Sequence, residues 1–460
     1  MPVALVILIL YIVALFAISW YAKKRSEGNN ENFALAGRKL SAPLIGVTII
    51  GLAVGGASTI GVSEHAFRVG LSAGWYTIAW AIGAIVMGLF MAKKYREQNI
   101  TTITELIERH HTTGAVVLGV FVQIVIQLVI ISLQYIAGGS ILHAILPDIF
   151  DFKSGMIVSA ITFIGITFIG GMWSASMLIY GGILVATVIQ FGKIDSLDTL
   201  AASLPTNVPW FSLTEGVGMV TITSWIVTLV TVNLSLQSIL QISLGAKDAA
   251  TAKKGFVWGG ILMIPVGVLA AFLGIVAKAV YPEAQAALAL PQVIVGLHPI
   301  VAGVTLAALW AADVSTACNL LLSAGTLFSS DIYKRFINPD CSPSRQLFVT
   351  RLCVMVSGIL TLGLAMSVSS ILGTIMIGLS LTAAFSVIVI VALFFPQYSS
   401  KAAGFWTLLA GLLMVVLWEL TPAVHLLPNV IYMEWLVCIA AYAIVAALVP
   451  AKKVVPAVAE

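Results

Sequence analysis

Apolar runs of about 20 residues, each long enough to cross a bilayer as a helix, recur from one end of this 460-residue chain to the other. About 13 such windows begin near Pro2, Pro43, Ala73, Gly114, Gly155, Ser174, Gly216, Phe256, Val301, Phe348, Ile371, Phe405 and Ile431. Lipid offers no partner to backbone N–H and C=O groups, so only helices and closed barrels can span it. The runs are continuous and rich in Leu, Ile, Val and Ala, not the short alternating segments of a barrel. Only 9% of the residues are charged, against about 25% in a soluble domain. The expected fold is an all-α integral membrane bundle of about 13 transmembrane helices, with the lipid bilayer as its solvent.

The net charge of +4 is no nucleic-acid signature, because the basic residues sit at helix ends. Alternate loops carry Lys23, Lys24, Arg25, Arg38 and Lys39; Lys93, Lys94, Arg96 and Arg109; Lys247, Lys253 and Lys254; Lys334, Arg335 and Arg345; Lys401; and Lys452 and Lys453. The opposite loops hold chiefly Arg68, Lys153 and Lys193. The positive-inside rule then puts the N-terminus outside and the C-terminus in the cytoplasm. Thr101 to His111 and Leu244 to Lys254 are amphipathic and read as interfacial helices, and Lys193 to Ser212 reads as a structured outer loop. The first run lacks a basic start and a cleavage site and is read as a retained helix. Cys318, Cys341, Cys353 and Cys438 show no metal or redox spacing.

Some spans violate what lipid wants. The second clusters Gly51, Gly55, Gly56, Ala57, Ser58 and Thr59 mid-span, and clustered glycine costs about 1 kcal/mol per residue relative to Ala. A break there frees carbonyls for a cation and aims a half-helix N-terminus at an anionic group; the plainer reading is close packing through small residues. The ninth holds Ala312, Asp313, Ser315 and Thr316. Its adjacent hydroxyls suit a hard cation such as sodium, unless they bond back to their own helix. Asp313 costs at least ~2.5 kcal/mol at a helix centre. It therefore faces a cavity, holds a proton or pairs, for example with Arg351. The seventh span carries Thr221, Thr223, Ser224, Thr228, Thr231, Asn233, Ser235, Gln237 and Gln241, too many polar groups for a lipid face. Two such spans, five apart and opposite in direction, mark an inverted repeat around a midplane site.

Gly56 to Gly61 followed by Gly70-Leu71, Gln237 to Gln241 leading to Ala246-Lys247, Ala307 to Asn319, and Ser330 to Arg335 resemble the sodium/solute symporter family over nearly the whole chain. The resemblance implies the leucine-transporter-like fold, with a 5+5 inverted repeat and broken first and sixth core helices. Segments 41–193 and 214–396 would be the repeats, 2–22 an extra N-terminal helix and 403–450 two extra C-terminal helices, all in one transporter domain, 1–460. It also implies a sodium site made by the carbonyls of Gly51, Val54 and Ala312 and the hydroxyls of Ser315 and Thr316. Ser58, Thr77, Trp80 and Gln237 match the family's solute-binding positions. Ile179 and Cys318 stand where many members have polar ligands of a second sodium site, which points to one sodium per cycle.

The expected activity is sodium-coupled uptake of a small polar solute, an organic acid or amino acid, by alternating access across a bacterial inner membrane. Two readings stay open beside it: a proton-coupled carrier using Asp313, and a ligand-binding membrane sensor with the same bundle. An enzyme is not expected, since no HExxH or paired-acid motif occurs.

Overall fold

The computed structural model describes residues 30–175, 197–367 and 371–449, with part of an N-terminal helix between residues 3 and 20. The short helix α1 (Asn30–Leu35) leads into α2 (Ala42–Ala53), which starts just before Pro43, where a missing N–H costs nothing. After the break come α3 (Ala57–Val69) and α4 (Leu71–Glu97). Next are α5 (Ile103–His110), α6 (Thr113–Ile145) and α7 (Phe152–Ala175). The second half opens with α8 (Met219–Ser235) and α9 (Gln237–Leu244), then α10 (Ala249–Val280). It continues through α11 (Ala286–Val295) and α12 (Pro299–Ile337) to α13 (Pro343–Ala365), α14 (Ile375–Phe394), α15 (Ala403–Leu420) and α16 (Val430–Leu448). Among the described residues there are nine helices long and apolar enough to cross a membrane, or eleven spans if each bent pair counts as one. The expected span from Ser174 lies largely outside the described residues, as do Ile179 and most of 1–29.

Both expected breaks are present. The α2–α3 pair bends by 59° and the α8–α9 pair by 51°. Around them α6 and α12 form the centre: α12 packs on α2, α6, α7 and α13, while α10 packs on α2, α3 and α4. Outward-facing Phe90, Trp258, Leu360 and Leu420 are exposed, as lipid-facing side chains should be.

Leu244 to Lys254 is not an interfacial helix. Leu244 ends α9, and Asp248 accepts from Thr251 N at 2.7 Å to cap the 32-residue α10. Lys253 and Lys254 are exposed on its first turns, so their polarity marks the end of a long span. Thr101 to His111 does contain a helix, α5. Thr102 caps it by accepting from Glu105 N, and Glu105 Oε2 accepts from Thr101 N at 2.8 Å, close to a capping box. Within the described part of the expected outer loop, 197–212, the chain forms the short helix Leu197–Ala202 and then seats Trp210 against the α3–α4 turn. Leu71 N donates to Trp210 O at 2.8 Å. Gly70, at φ 78° with the Trp210 backbone against it, leaves no room for a side chain.

Candidate cation and solute site

The α2–α3 break removes particular hydrogen bonds. In an unbroken helix Gly56 N would donate to Leu52 O and Ser58 N to Val54 O. Here Gly56 N donates to Gln134 Oε1 on α6 at 2.7 Å, and Ser58 N turns to Gly55 O at 3.0 Å. The carbonyls of Leu52 and Val54 thus lose their helical donors.

Thr316 on α12 meets the Leu52 carbonyl, but no hydrogen bond joins it to that of Val54. Its Oγ1 lies 2.7 Å from Gly51 O, 3.1 Å from Leu52 O and 3.1 Å from Ala312 O. A hydroxyl has one proton, so it cannot satisfy three carbonyl oxygens. Ser315, beside it, is 3% exposed. The nest is rich in hard oxygen ligands and short of positive charge, which fits sodium and gives a soft metal nothing to bind. A methyl group on Gly55 would collide with Thr316 Oγ1 and Gln134 Oε1, so glycine here serves the close approach of α2–α3 to α6 and α12.

Asp313, fully buried, sits on the same helix with neither carboxylate oxygen hydrogen-bonded within the protein. A Cβ on Gly56 would lie 3.1 Å from its Oδ1, so the carboxyl faces the break. The bond to Arg351 does not form: that guanidinium stacks over Phe33 and Phe168, at 5.4 and 5.8 Å.

Of the solute-site residues, the structure brings Ser58 and Thr77 together, Thr77 Oγ1 donating to Ser58 O at 3.3 Å. Trp80 follows one turn later on α4, 4% exposed. Trp225 of α8 packs edge-on against His65 and Tyr76, each with ring centroids 5.9 Å away. Gln237 does not join them. Its Oε1 accepts from Ile103 N at 2.7 Å and its Nε2 donates to Thr101 O at 3.3 Å, so its amide is spent holding α5 to the α8–α9 break.

Gln123 and Gln134 are the residues that sequence reasoning missed. At the second break Gln123 Nε2 donates to Ser235 O at 2.8 Å and its Oε1 accepts from Gln237 N at 3.2 Å. One helix, α6, therefore clamps both breaks with glutamine side chains. The signal was present: Gln123, Gln127 and Gln134 are spaced by four and seven residues in an apolar span, which puts three amides on one helical face. Leu52 was missed as well, because a carbonyl ligand leaves no mark on side-chain identity.

The end carrying Lys334 and Arg335 is closed. Asp331 accepts from Thr102 Oγ1 at 2.9 Å and Thr104 Oγ1 at 2.8 Å, and Arg335 pairs with Glu108. Leu40 N donates to Gly245 O at 2.9 Å, and Lys247 N to Leu40 O at 3.1 Å. At the other end, a cavity of about 550 Å³ between α3, α10 and the Pro205–Trp210 loop is lined by Arg68, Asn207, Trp210 and Lys278.

Comparison with known proteins gives the family and the fold. The model of the sodium:solute symporter family matches residues 33–411. A sodium/proline symporter of Staphylococcus saprophyticus is 23% identical, over 90% of this chain and 85% of its own length. The Vibrio parahaemolyticus sodium/glucose cotransporter is 25% identical, over 73% and 69%. A solved sodium-coupled sialic acid symporter, in a substrate-bound outward-open state, superposes with a TM-score of 0.79 over 98% of this chain and 99% of its own, at 18% identity. A nucleobase-cation-symport-1 family transporter follows at 0.58 over 91% and 96%, with 15% identity. Sodium is thus the coupling ion, and the chain is a multi-pass membrane carrier belonging to the sodium:solute symporter family.

Proposed function

We propose that this symporter imports a small polar organic acid or amino acid by alternating access, with sodium assembling the solute pocket. The observation that carries the reading is the single Thr316 hydroxyl among the carbonyls of Gly51, Leu52 and Ala312. The sodium ligands are drawn from Gly51, Val54, Ala312, Ser315 and Thr316, with Leu52 added. Ser58, Thr77 and Trp80 border the solute, and Gln237 is a positioning residue for the second break. Lys278 in the outer cavity, beside the Arg68–Glu64 ion pair, favours an anionic solute. The two repeats run over 41–193 and 214–396, the N-terminus lies outside and the C-terminus in the cytoplasm, and the membrane is the bacterial inner membrane.

Sodium entering from outside gains ~2.3 kcal/mol per 100 mV of potential. By neutralising the carbonyl nest it holds the α2–α3 break against α12, next to Ser58. Linkage makes the effect reciprocal, so bound solute tightens sodium. Release requires the Asp331, Arg335 and Leu40 contacts at the closed end to part.

The test begins with purified protein in sodium, screened by thermal stability against amino acids, mono- and dicarboxylates and sugars. Whatever stabilises is then offered to proteoliposomes. Accumulation driven by a sodium gradient supports the proposal. Accumulation driven only by a pH gradient, and lost in Asp313→Asn, means a proton carrier. Binding with no uptake means a sensor.

A further inference from the structure

Between the candidate sodium site and the Lys334 end lies a set of buried oxygens that the reading above leaves unused. Asn319, Ser323 and Thr326 continue from Thr316 along α12 at spacings of three and four residues, which is one helical face. None is more than 2% exposed. Helix α9 faces this stripe with Ser238 and Gln241, each 1% exposed, and Gln241 Nε2 lies 3.5 Å from Thr326 Oγ1. Ser238 lies about one turn before Gln241 on α9, as Ser323 lies about one turn before Thr326 on α12.

The amides are oriented. Asn319 Nδ2 donates to Ser315 O at 2.9 Å and Gln241 Nε2 to Ala34 O at 2.7 Å. Both partners are carbonyls and can only accept, which turns Asn319 Oδ1 and Gln241 Oε1 the other way. Those two oxygens, with Ser238 Oγ and Ser323 Oγ, are buried and have no protein hydrogen-bond partner, although buried polar atoms are ordinarily paired. Four lone-pair oxygens and no fixed charge suit a monovalent hard cation bound weakly enough to leave.

We propose that Asn319, Ser323, Ser238 and Gln241 form a second, transient monovalent-cation station, through which sodium passes from Thr316 to the cytoplasm. The inference rests on the sodium-site and orientation readings above. Below the station lies α1, whose Phe33, Ala34 and Leu35 are fully buried. Its Ala34 carbonyl holds Gln241, so emptying the station requires α1 to withdraw.

The test uses the full chain with its four cysteines replaced by serine and either Asn319→Cys or Ser323→Cys introduced. Inside-out vesicles in potassium medium are treated with aminoethyl methanethiosulfonate, a cation, or sulfonatoethyl methanethiosulfonate, an anion. The cationic reagent should modify both proteins about tenfold faster than the anionic one, a factor worth about 1.4 kcal/mol, and sodium should slow it. The station is refuted if neither protein is modified, if the two reagents react equally fast, or if sodium has no effect. Using two positions protects the test against one variant that does not fold. Sodium stabilisation of the unsubstituted protein, measured in parallel, separates the two claims: if it is present while the thiols stay unmodified, only the station fails, and if it is absent, both fail.

Discussion

Replacing Gln134 by leucine tests whether the break is held open from α6. Gln134 Oε1 accepts the Gly56 N–H at 2.7 Å, while its Nε2 only bonds back to Ile130 O at 3.2 Å. Leucine keeps most of the volume and removes the acceptor. A buried N–H left unpaired costs about 1–3 kcal/mol. The chain can escape that cost by rewinding, with Gly56 N donating to Leu52 O as in an ordinary helix. Rewinding withdraws the Leu52 carbonyl, 3.1 Å from Thr316 Oγ1, from the sodium nest. A lost ligand to a charged species is worth about 1.5–3 kcal/mol, so sodium affinity should fall about 10- to 100-fold although Gln134 touches no ion. The control is Gln123→Leu, which removes the matching clamp from the second break and should cost similar stability with little effect on sodium. Thermal unfolding of both purified variants across a sodium titration gives both quantities. Unchanged sodium affinity in Gln134→Leu, or an equal loss in Gln123→Leu, would refute the clamp argument.

Other substitutions probe the same parts. Thr316→Ala should weaken sodium binding about 10- to 100-fold, while Thr316→Ser, which keeps the oxygen, should stay near the parent in the same titration. Gly55→Ala should cost about 1–3 kcal/mol by overpacking and lose the sodium response; Gly363→Ala, where a methyl meets nothing within 4 Å, should be neutral or gain up to about 1 kcal/mol on denaturation. His111 is 5% exposed, next to Ser400 O at 2.8 Å, and burial pushes its pKa down from 6.5 to about 4. The folded state thus keeps it neutral while the unfolded chain takes up a proton. Its contribution is complete above pH 6.5 and is lost as pH falls toward 4, by about 3 kcal/mol. His111→Asn should flatten the melting-temperature profile in that window.

How much was legible differs from residue to residue, for physical reasons. The first break could be read because glycine removes the Cβ that stiffens a helix, so Gly51, Gly55 and Gly56 advertise it locally. The second break falls at Ser235-Leu236-Gln237, with no glycine, and Gln123, more than 100 residues away, holds it. No rule applied to the break's own residues sees such a clamp; its mark lies in the glutamine spacing on α6. Thr316 was found because hydroxyls in an apolar span are conspicuous. The family resemblance puts Gln237 at a solute-binding position, but a matching position does not say what the amide bonds, and here its partners are the Thr101 and Ile103 backbone. Leu244 to Lys254 misled for a related reason. A cap followed by two lysines looks amphipathic over one or two turns, whether the helix then stops or runs on for 32 residues.

The most direct test of the account is cation-dependent stability of the purified protein, at constant ionic strength in sodium, lithium and potassium, beside Ser315→Ala and Asp313→Asn. At 100 times its dissociation constant, a ligand stabilises by about 2.7 kcal/mol. The account predicts stabilisation by sodium and not potassium, and its loss in Ser315→Ala. Equal behaviour in all three salts, with stability following pH through Asp313 instead, would contradict it.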